Sequence, residues 1–291
     1  MRFAFIGEHR GEFEVAIMCR VLEVSRAGYY SWSDRKHGAR RLEECVLLDA
    51  AAGLFKDSGQ TYGHRRICAG LVALGLLCGP KRVARLMRKW GMQVVVKRRF
   101  RLTTDSKHGL PIAENLLDRQ FDQGAPNKAW VSDITYIWTE EGWLYLATTM
   151  DLYSRKIVGW AMADNMRKEL VMEALQMAID TRAPGPGLIH HSDRGSQYAS
   201  KDFRRLLDKH GMLASMSRKG DCWDNAVMES FFGSLKVERV HRDRYKDHRQ
   251  ARTAVFQYIE TFYNTVRMHS KLGYQSPCEF EAERSSSTDV A

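Results

Sequence analysis

Residues 129–151 read AWVSDITYIWTEEGWLYLATTMD, and this stretch decides the fold. Apolar and polar residues alternate along it, which predicts a strand over 129–139, a turn at Glu141–Gly142 and a second strand over 144–151. A third strand is predicted over 156–162. Three consecutive strands joined by tight turns predict an antiparallel meander.

The residues after this meander alternate between helical and strand patterns. We expect helices over 167–182, 200–210, 225–240 and 248–266, short strands over 188–192 and 212–216, and a frayed polar tail from Ser285. The order predicts a mixed α/β domain with a five-stranded sheet, an arrangement that resembles the ribonuclease-H-like fold.

The first hundred residues have a helical pattern instead. Residues 12–32 have the shape of a small helix-turn-helix with Gly28 in the turn, although a plain helical hairpin fits the same pattern. Further helices are predicted over 40–56, after Tyr62–Gly63 and over 81–90. We therefore expect a helical, basic DNA-binding region over 1–105, a linker over 106–128, the α/β core over 129–240, and a C-terminal helix and tail over 241–291.

The net charge of +10 is concentrated in one block. Residues 51–100 contain eleven Lys and Arg residues and one acid, Asp57, whereas the rest of the chain is balanced. A block of one sign attracts a polyanion and releases its counterions, so nucleic acid is the expected partner. The candidate contacts in this block are Arg65, Arg66, Lys81, Arg82, Arg85, Arg88, Lys89, Lys97, Arg98 and Arg99.

Three carboxylates occupy positions where the predicted fold brings them together. Asp133 lies inside the first strand, Asp193 directly follows the fourth, and Glu229 lies on a helix. An acid in the middle of a strand is costly unless it binds a cation or a partner. Asn225 and Lys236 share a helix face with Glu229, which places a basic residue two turns further along for a substrate phosphate.

Such a set of acids suits hard Mg²⁺ ions, which prefer oxygen ligands. Two such ions clamp the attacking and leaving oxygens of a phosphoryl displacement. Each acid taken alone also has an ordinary explanation. Asp133 could pair with an arginine, Asp193 could stabilise a turn, and Glu229 could be a solvated helix residue.

These residues resemble a known family. Residues 130–136 (WVSDITY), 191–198 (HSDRGSQY) and 224–236 (DNAVMESFFGSLK) are similar to the DDE integrase core, and more narrowly to the second-reading-frame (OrfB) transposases of the IS-three family of bacterial insertion sequences. Tyr62–Ile67 and Lys81–Met87 resemble the N-terminal region of that family. Its C-terminal signature is matched by Tyr263–Asn264, Arg267, His269 and Ser276–Pro277.

The resemblance implies Mg²⁺-dependent cleavage and transfer of DNA strands at the ends of an insertion sequence, with two ions for which Mn²⁺ can substitute. Asp133, Asp193 and Glu229 would be the catalytic metal ligands, and Lys236 a DNA contact. It also implies element-end and target DNA as partners, a homo-oligomer, an upstream-frame OrfA product acting with or fused to this chain, no membrane, and a cytoplasmic location at the bacterial nucleoid.

Two other functions share parts of this pattern. A non-catalytic DNA-binding regulator of transposition would account for the basic block, but an intact acidic set favours an enzyme. A nuclease that cuts RNA in a hybrid would account for the fold, but it has no need of the basic helical region. Retroviral-type integrases are less similar because their His/Cys zinc module is missing from this sequence.

The remaining features have weaker meanings. The six cysteines lack zinc-ligand spacing, and the sequence has neither a secretory signal nor an apolar run long enough for a membrane span. His190 and His191 could contact phosphate or be structural. Four aromatic residues of the first hairpin could stack on frayed bases, although aromatic residues on strands more often fill a core: Tyr136, Trp138, Trp143 and Tyr145.

Overall fold

The computed structural model describes residues 1–37, 39–94, 110–218 and 222–288. It divides into two compact units, the first ending at Val94 and the second beginning after it. The sequence places the boundary at 105. Lys97, Arg98 and Arg99 lie outside the described residues, as do residues 106–109 of the predicted linker.

The first unit is helical. Its helices are α1 (Arg2–Glu8), α2 (Val15–Val21), α3 (Arg26–His37), α4 (Ala39–Asp57), α5 (His64–Ala73) and α6 (Pro80–Lys89). Ile6, Met18, Cys19 and Tyr29 form the core of the first three helices. Helices α4, α5 and α6 pack on one another and bury Leu47, Ile67, Leu71 and Leu86, among others.

Gly28 does not lie in a turn as the sequence predicts. It lies within α3, and its N–H donates to the Ser25 hydroxyl 3.0 Å away. The chain therefore turns before Ser25, which caps the helix, and a Cβ at position 28 would lie 2.7 Å from that hydroxyl oxygen. The position needs a glycine because of this close approach.

The second unit contains one sheet with helices on both faces. The strands are β1 (Ala129–Thr139), β2 (Gly142–Asp151), β3 (Ile157–Ala163), β4 (Ile189–Ser192) and β5 (Leu213–Met216), in the order β3-β2-β1-β4-β5. The first three pair antiparallel, and β4 and β5 continue the sheet parallel to β1. The predicted meander and the mixed five-stranded sheet are both confirmed.

The helices of this unit form two layers around the sheet. Helices α7 (Lys168–Arg182) and α8 (Lys201–Lys209) share a core with Trp130 and Val158. On the other side, α9 (Ala226–Leu235) and α10 (His248–Phe256) share a core with Val131. The two helices continue as π-helical turns over Lys236–Val240 and Gln257–Tyr263, and α11 (Pro277–Thr288) includes the described part of the tail that the sequence predicts to be frayed.

One contact shows how closely these layers pack. Gly159 of β3 lies against α7, where an added Cβ would be 2.2 Å from the Ala174 carbonyl oxygen. Any larger residue there would push the helix from the sheet. Among the described residues, no helix is both long and apolar enough to span a membrane.

The segment 110–128 packs against the sheet, although the sequence predicts a linker there. Leu117 is buried in the core below α9, and the N–H groups of Leu116 and Leu117 donate to the Ser215 hydroxyl of β5. Most of the segment is exposed, as expected of a linker, and Leu117 is the residue that anchors it in the core.

The residues of the predicted C-terminal signature hold this unit together. The Asn264 side chain bonds both the N–H and the carbonyl of Ile157 in β3, at 3.0 Å each. Arg267 is buried and forms a two-pronged ion pair with Glu238, which also accepts from the Tyr258 hydroxyl. These contacts tie the residues after α10 to both β3 and the turn that follows α9.

Candidate active site

Two of the predicted catalytic acids lie side by side on neighbouring strands. Ser132 of β1 is in register with Ser192 of β4, so Asp133 and Asp193 each come one residue later along parallel strands. Neighbouring strands are about 5 Å apart. Asp133 and Asp193 are 60 residues apart in the sequence, and the parallel pairing of β1 with β4 brings them close together.

The surroundings of Asp133 oppose its ionisation. Burial raises the pKa of its carboxyl well above the usual value, and the charge of Asp193 raises it further. The charge of Glu229 acts in the same direction more weakly, whereas a hydrogen bond from the Ile134 N–H and the charge of Lys236 lower it. A buried carboxylate near two others is stabilised when a cation neutralises the group.

The loop after β4 shapes the position of Asp193. Its Oδ1 accepts from the Gly195 N–H at 2.9 Å, and a Cβ on Gly195 would lie 3.0 Å from that oxygen. Glycine at 195 therefore lets the loop fold back onto the acid.

Glu229 and Lys236 come from α9 and the turn after it. Glu229 is largely exposed near the start of the helix, and partial desolvation of its carboxyl raises its pKa. Lys236 is half-buried, and its ammonium lies 4.8 Å from the centroid of the Tyr136 ring on β1. Burial lowers the pKa of Lys236, and the charge of Asp133 partly offsets this effect.

Three buried polar groups around these acids have no hydrogen-bond partner among the described atoms. They are the hydroxyls of Thr148 and Tyr198 and the side-chain amide of Asn225. Thr148 is directly opposite Asp133 on β2, the charges of Asp133 and Asp193 raise the pKa of Tyr198, and Asn225 is one turn before Glu229. Buried polar groups in native proteins are almost always paired, so a ligand at this site would supply partners for these three, although unpaired buried atoms also occur elsewhere among the described residues, for example the Tyr245 hydroxyl.

The sequence analysis did not single out Thr148 or Tyr198. Tyr198 lies within the 191–198 motif, which was a usable signal. Thr148 is identified only by the pairing of β1 with β2, which no local pattern reveals.

These groups fit a hard divalent cation in their chemistry, since the acidic donors are all oxygen atoms. In the part of the chain that the structure describes, however, no three histidine, cysteine or acidic side chains are close enough to hold one ion. The charges of Asp193 and Glu229 both act on the Asp133 carboxyl, and that of Asp193 acts more strongly.

A buried acid, Asp224, holds the start of the catalytic helix. Its carboxylate accepts from the side chains of Asn115 (2.9 Å) and Arg119 (3.0 Å) and from the Arg218 N–H (2.8 Å). Although burial opposes ionisation of Asp224, these donors and the charges of Arg218 and Arg119 lower its pKa overall. Asp224 thereby joins the 110–119 segment, the end of β5 and the entry to α9.

The two histidines beside Asp193 are buried and structural. His190 Nε2 is 2.8 Å from the Ser132 hydroxyl, and His191 Nδ1 is 2.9 Å from the Ser215 hydroxyl. Burial lowers the pKa of His190 to about 3 and that of His191 to about 4. Both rings are neutral at physiological pH and connect β4 to its neighbouring strands.

The predicted DNA contacts of the first unit differ in whether an acidic side chain already pairs with them. Arg82 pairs with Glu43 at 2.7 Å, and Arg85 pairs with Glu44, so α4 neutralises part of the basic face of α6. The Arg66 guanidinium lies 5.5 Å from the centroid of the Tyr62 ring. The remaining described residues of the set are exposed: Arg65, Lys81, Arg88 and Lys89.

Comparisons with known proteins agree with this architecture. An integrase core domain model matches residues 123–222, a second integrase core domain model matches 229–284, and an HTH-like domain model matches 38–100. The HTH-like match therefore covers α4 to α6, whereas the sequence pattern placed the helix-turn-helix shape at 12–32.

Two relatives match nearly the whole chain. The insertion element IS600 uncharacterized 31 kDa protein of Shigella sonnei is 46% identical over 90% of this chain and 97% of its own length. The transposase InsF for insertion sequence IS3A of Escherichia coli K12 is 42% identical over 97% of this chain and 98% of its own. A chain of the simian T-cell lymphotropic virus intasome covers 79% of this chain and 73% of itself at 14% identity, with a TM-score of 0.47.

The integrase core models span the sheet and the helices from α9 to α11, and an IS3 transposase aligns with nearly the whole chain. This chain belongs to the IS3 family of insertion-sequence transposases, enzymes built on an integrase core.

Proposed function

We propose that this transposase cleaves DNA at the ends of its insertion sequence and transfers the freed strand to target DNA, with divalent cations held by Asp133, Asp193 and Glu229. The observation that carries the proposal is that Asp133 and Asp193 each directly follow the paired residues Ser132 and Ser192 of β1 and β4, where burial and like charge both oppose ionisation of Asp133. Two Mg²⁺ ions suit three carboxylates, and Mn²⁺ should replace them.

When bound, the cations would stabilise the charge on the attacking and leaving oxygens. The residues of this chain would hold the cations and the reacting phosphate in position. Asp133 and Asp193 present oxygen ligands from fixed strand positions, and Glu229 adds a third from the helix opposite. Lys236 is placed to contact the phosphate beside Asp133. Water would attack the phosphorus at the element end and break its bond to the 3′-oxygen, which leaves a 3′-hydroxyl on one side and a 5′-phosphate on the other. The 3′-hydroxyl would then attack a target phosphodiester, forming a new P–O bond while the 3′-oxygen of the target strand leaves as a hydroxyl.

The first unit would bind DNA mainly through the exposed cations of the α4 to α6 region. Arg65, Lys81, Arg88 and Lys89 can each neutralise a phosphate. Arg82 and Arg85 already face a glutamate, so we assign them a smaller share of the binding. Lys97, Arg98 and Arg99 remain candidates on their charge alone.

Further partners follow from the family. Two element ends must be processed together, which favours a homo-oligomer, and we expect an OrfA product to act with this chain or be fused to it. The enzyme would work on bacterial DNA in the cytoplasm, at the nucleoid.

The test is strand transfer by the purified full chain, with and without the OrfA product, on the element's own end fragments in Mg²⁺. Activity that disappears in Glu229→Gln and persists in Glu173→Gln, an exposed acid of α7, would support the assignment. Equal activity of both variants would refute it. Tight binding of end DNA without cleavage by any form would favour the non-catalytic regulator instead.

A further inference from the structure

Four aromatic side chains lie on one face of the β1–β2 hairpin. Tyr136 is opposite Tyr145 and Trp138 is opposite Trp143 in the strand register. The Trp143 ring contacts the Tyr136 ring edge-on, with centroids 4.8 Å apart, and contacts the Trp138 ring at 4.9 Å. The rings therefore form a row, Tyr136, Trp143 and Trp138, that runs toward the tip of the hairpin.

This row is not part of a core, although aromatic residues on strands usually are. Trp138 is 58% exposed and Trp143 is 43% exposed. Cross-strand aromatic pairs stabilise a hairpin, which explains why the rings touch. It does not explain why two large indole rings stay in water, where they bury little apolar surface.

The inner end of the row reaches the candidate active site. The Lys236 ammonium lies 4.8 Å from the centroid of the Tyr136 ring and also interacts with the charge of Asp133. Asp133 and Tyr136 are three residues apart, so their side chains point to opposite faces of the strand, and Lys236 connects the two at the edge of β1, which pairs with β4 only as far as Ser132. A DNA strand whose phosphate reacts at Asp133 would reach the row by passing Lys236 around this edge.

A basic segment, residues 242–249, is hydrogen-bonded to the tip of the hairpin. Residues 139–141 bond to the segment after α9: the Glu140 N–H donates to the Tyr245 carbonyl at 2.9 Å, and the His248 N–H donates to the Glu141 carboxylate at 2.7 Å. Four exposed cations lie in that segment: Arg242, Arg244, Lys246 and Arg249. Of its two acids, Asp247 caps α10 and Asp243 pairs with Arg239.

Exposed aromatic rings beside cations are the combination that binds single-stranded nucleic acid. Bases stack on the rings, and the cations follow the backbone. A paired duplex hides its base faces, so it cannot use the rings in this way. The negative charges of Glu140 and Glu141 disfavour phosphates at the hairpin tip. We therefore assign the DNA backbone to Lys236 and to the cations of the basic segment.

We propose that Trp138 and Trp143 stack on unpaired bases of the DNA strand next to the reacting phosphodiester, with Lys236 and the Arg242–Arg249 segment holding its backbone. The ligand is a DNA end whose terminal base pairs are open. The proposal rests on the proposed function only in placing the reacting phosphate at Asp133.

The experiment measures binding without cleavage, so that it does not depend on the metal-site assignment. The full chain carrying Asp133→Asn is titrated in EDTA against two labelled DNAs of equal length, one fully paired and one with an unpaired single-stranded end. Stacking contributes about 1–3 kcal/mol per base, which corresponds to roughly 5- to 150-fold in affinity. We expect Trp138→Ala to weaken binding of the open-ended DNA by at least 5-fold and of the paired DNA by less than 2-fold.

The controls separate stacking from folding. Trp138→Phe should retain most of the preference for the open end, since it keeps an aromatic face. Phe256→Ala, a 48% exposed aromatic of α10, should leave the preference unchanged. Circular dichroism and the unfolding midpoint should be the same for Trp138→Ala as for the parent.

An unchanged preference in Trp138→Ala, or equal losses on both DNAs, would overturn the proposal. So would a change in oligomeric mass, measured by sedimentation, with no change in DNA preference, because the rings would then be a contact between copies of the chain. Photocrosslinking of an iodouracil in the unpaired end to Trp138 or Trp143 would support it directly. Loss of cleavage is not a readout here, so failure of the metal assignment would appear only in the strand-transfer assay.

Discussion

At the scale of single residues, the molecule uses acids for two different purposes. The carboxyl of Asp133 is buried beside like charge and has a raised pKa, whereas the carboxylate of Asp224 is buried among donors and has a lowered pKa. At Asp133, the charge of Lys236 does not offset the effects of burial and of the neighbouring acids on the pKa. At Asp224, the hydrogen-bond donors and the two arginines outweigh the effect of burial. This contrast separates a ligand-binding acid from a structural one.

The Asp133→Asn variant should lose strand transfer and keep its affinity for DNA, because the change removes a metal ligand and leaves every cation in place. Product formation is measured in Mg²⁺ and in Mn²⁺, and binding is measured by gel shift in Ca²⁺. EDTA should abolish activity in the parent chain. Cleavage by the variant, or activity of the parent in EDTA, would contradict the site assignment.

The buried histidines predict how stability changes with pH. A histidine whose folded pKa is about 3, against about 6.5 unfolded, is protonated only on unfolding between these values. Its contribution to stability is therefore present above pH 6.5 and is lost as the pH falls, at about 1.4 kcal/mol per pH unit. Asp133, whose pKa is raised, changes stability in the opposite direction over its own range.

We expect His190→Gln to reduce this slope by about one proton between pH 6.5 and pH 5, since glutamine can still bond Ser132 but does not titrate. The measurement is urea unfolding of both proteins at several pH values. The same slope in both would show that His190 is not the titrating group.

At the scale of elements, the start of α9, the helix that carries Glu229, depends on contacts with residues far away in the sequence. Asp224 fixes the entry to α9 through Asn115, Arg119 and Arg218. Asp224→Asn should lower the free energy of unfolding by about 2 kcal/mol, the order of a hydrogen bond to a charged group. Strand transfer should also fall, because Glu229 is on the same helix.

The matched control is Asp118→Asn, since Asp118 pairs with Arg218 but its side chain is 60% exposed. Its effect on stability should stay within about 0.5 kcal/mol. Similar losses in both variants, measured by chemical unfolding, would show that burial of Asp224 is not what matters.

The ion pairs between α4 and α6 give a second prediction at this scale. Arg88→Ala should reduce the slope of log K against log salt by about one unit, because an exposed cation releases a counterion from a phosphate. Arg82→Ala should reduce it less, since Glu43 already opposes that charge. Salt titrations of the full chain on one DNA test this, and a larger effect of Arg82→Ala would contradict it.

The strands were the part of the fold most readily predicted from the sequence. The alternation in 129–151 predicts β1 with its bounds unchanged, and β2 begins two residues before its predicted start. Features set by distant contacts were not predictable. The glutamates of α4 that meet Arg82 and Arg85 are about forty residues away, and the buried Leu117 makes a packed segment of what looks like a linker.

The candidate site shows the same division. The motif spacings predict which strands and helix carry Asp133, Asp193 and Glu229, and the strand register accounts for the first two. Thr148 and Asp224 belong to the site through pairing and burial, for which a single sequence carries no local signal. Trp138 and Trp143 follow the strand pattern of core residues, and only their position near the hairpin tip leaves them exposed.

At the scale of the whole molecule, charge and chemistry are divided between the two units. The first unit carries +7 of the net charge of +10, and Lys97, Arg98 and Arg99 follow its end, whereas the three acids lie in the second unit. A chain reduced to residues 110–291 should keep its sheet, judged by circular dichroism, and bind duplex DNA with a much smaller salt slope than the full chain. A salt slope equal to that of the full chain would show that the main phosphate contacts lie in the second unit.

The two exposed tryptophans of the hairpin also affect how the protein behaves when it is isolated. Neighbouring indole rings in water adhere to other apolar surfaces, so a preparation free of nucleic acid should be prone to aggregate at high concentration. A short single-stranded oligonucleotide added as an excipient should raise the concentration at which turbidity appears, and a blunt duplex should raise it less. Replacing Trp138 or Trp143 by a polar residue would then improve the yield of soluble protein and weaken its binding of open-ended DNA.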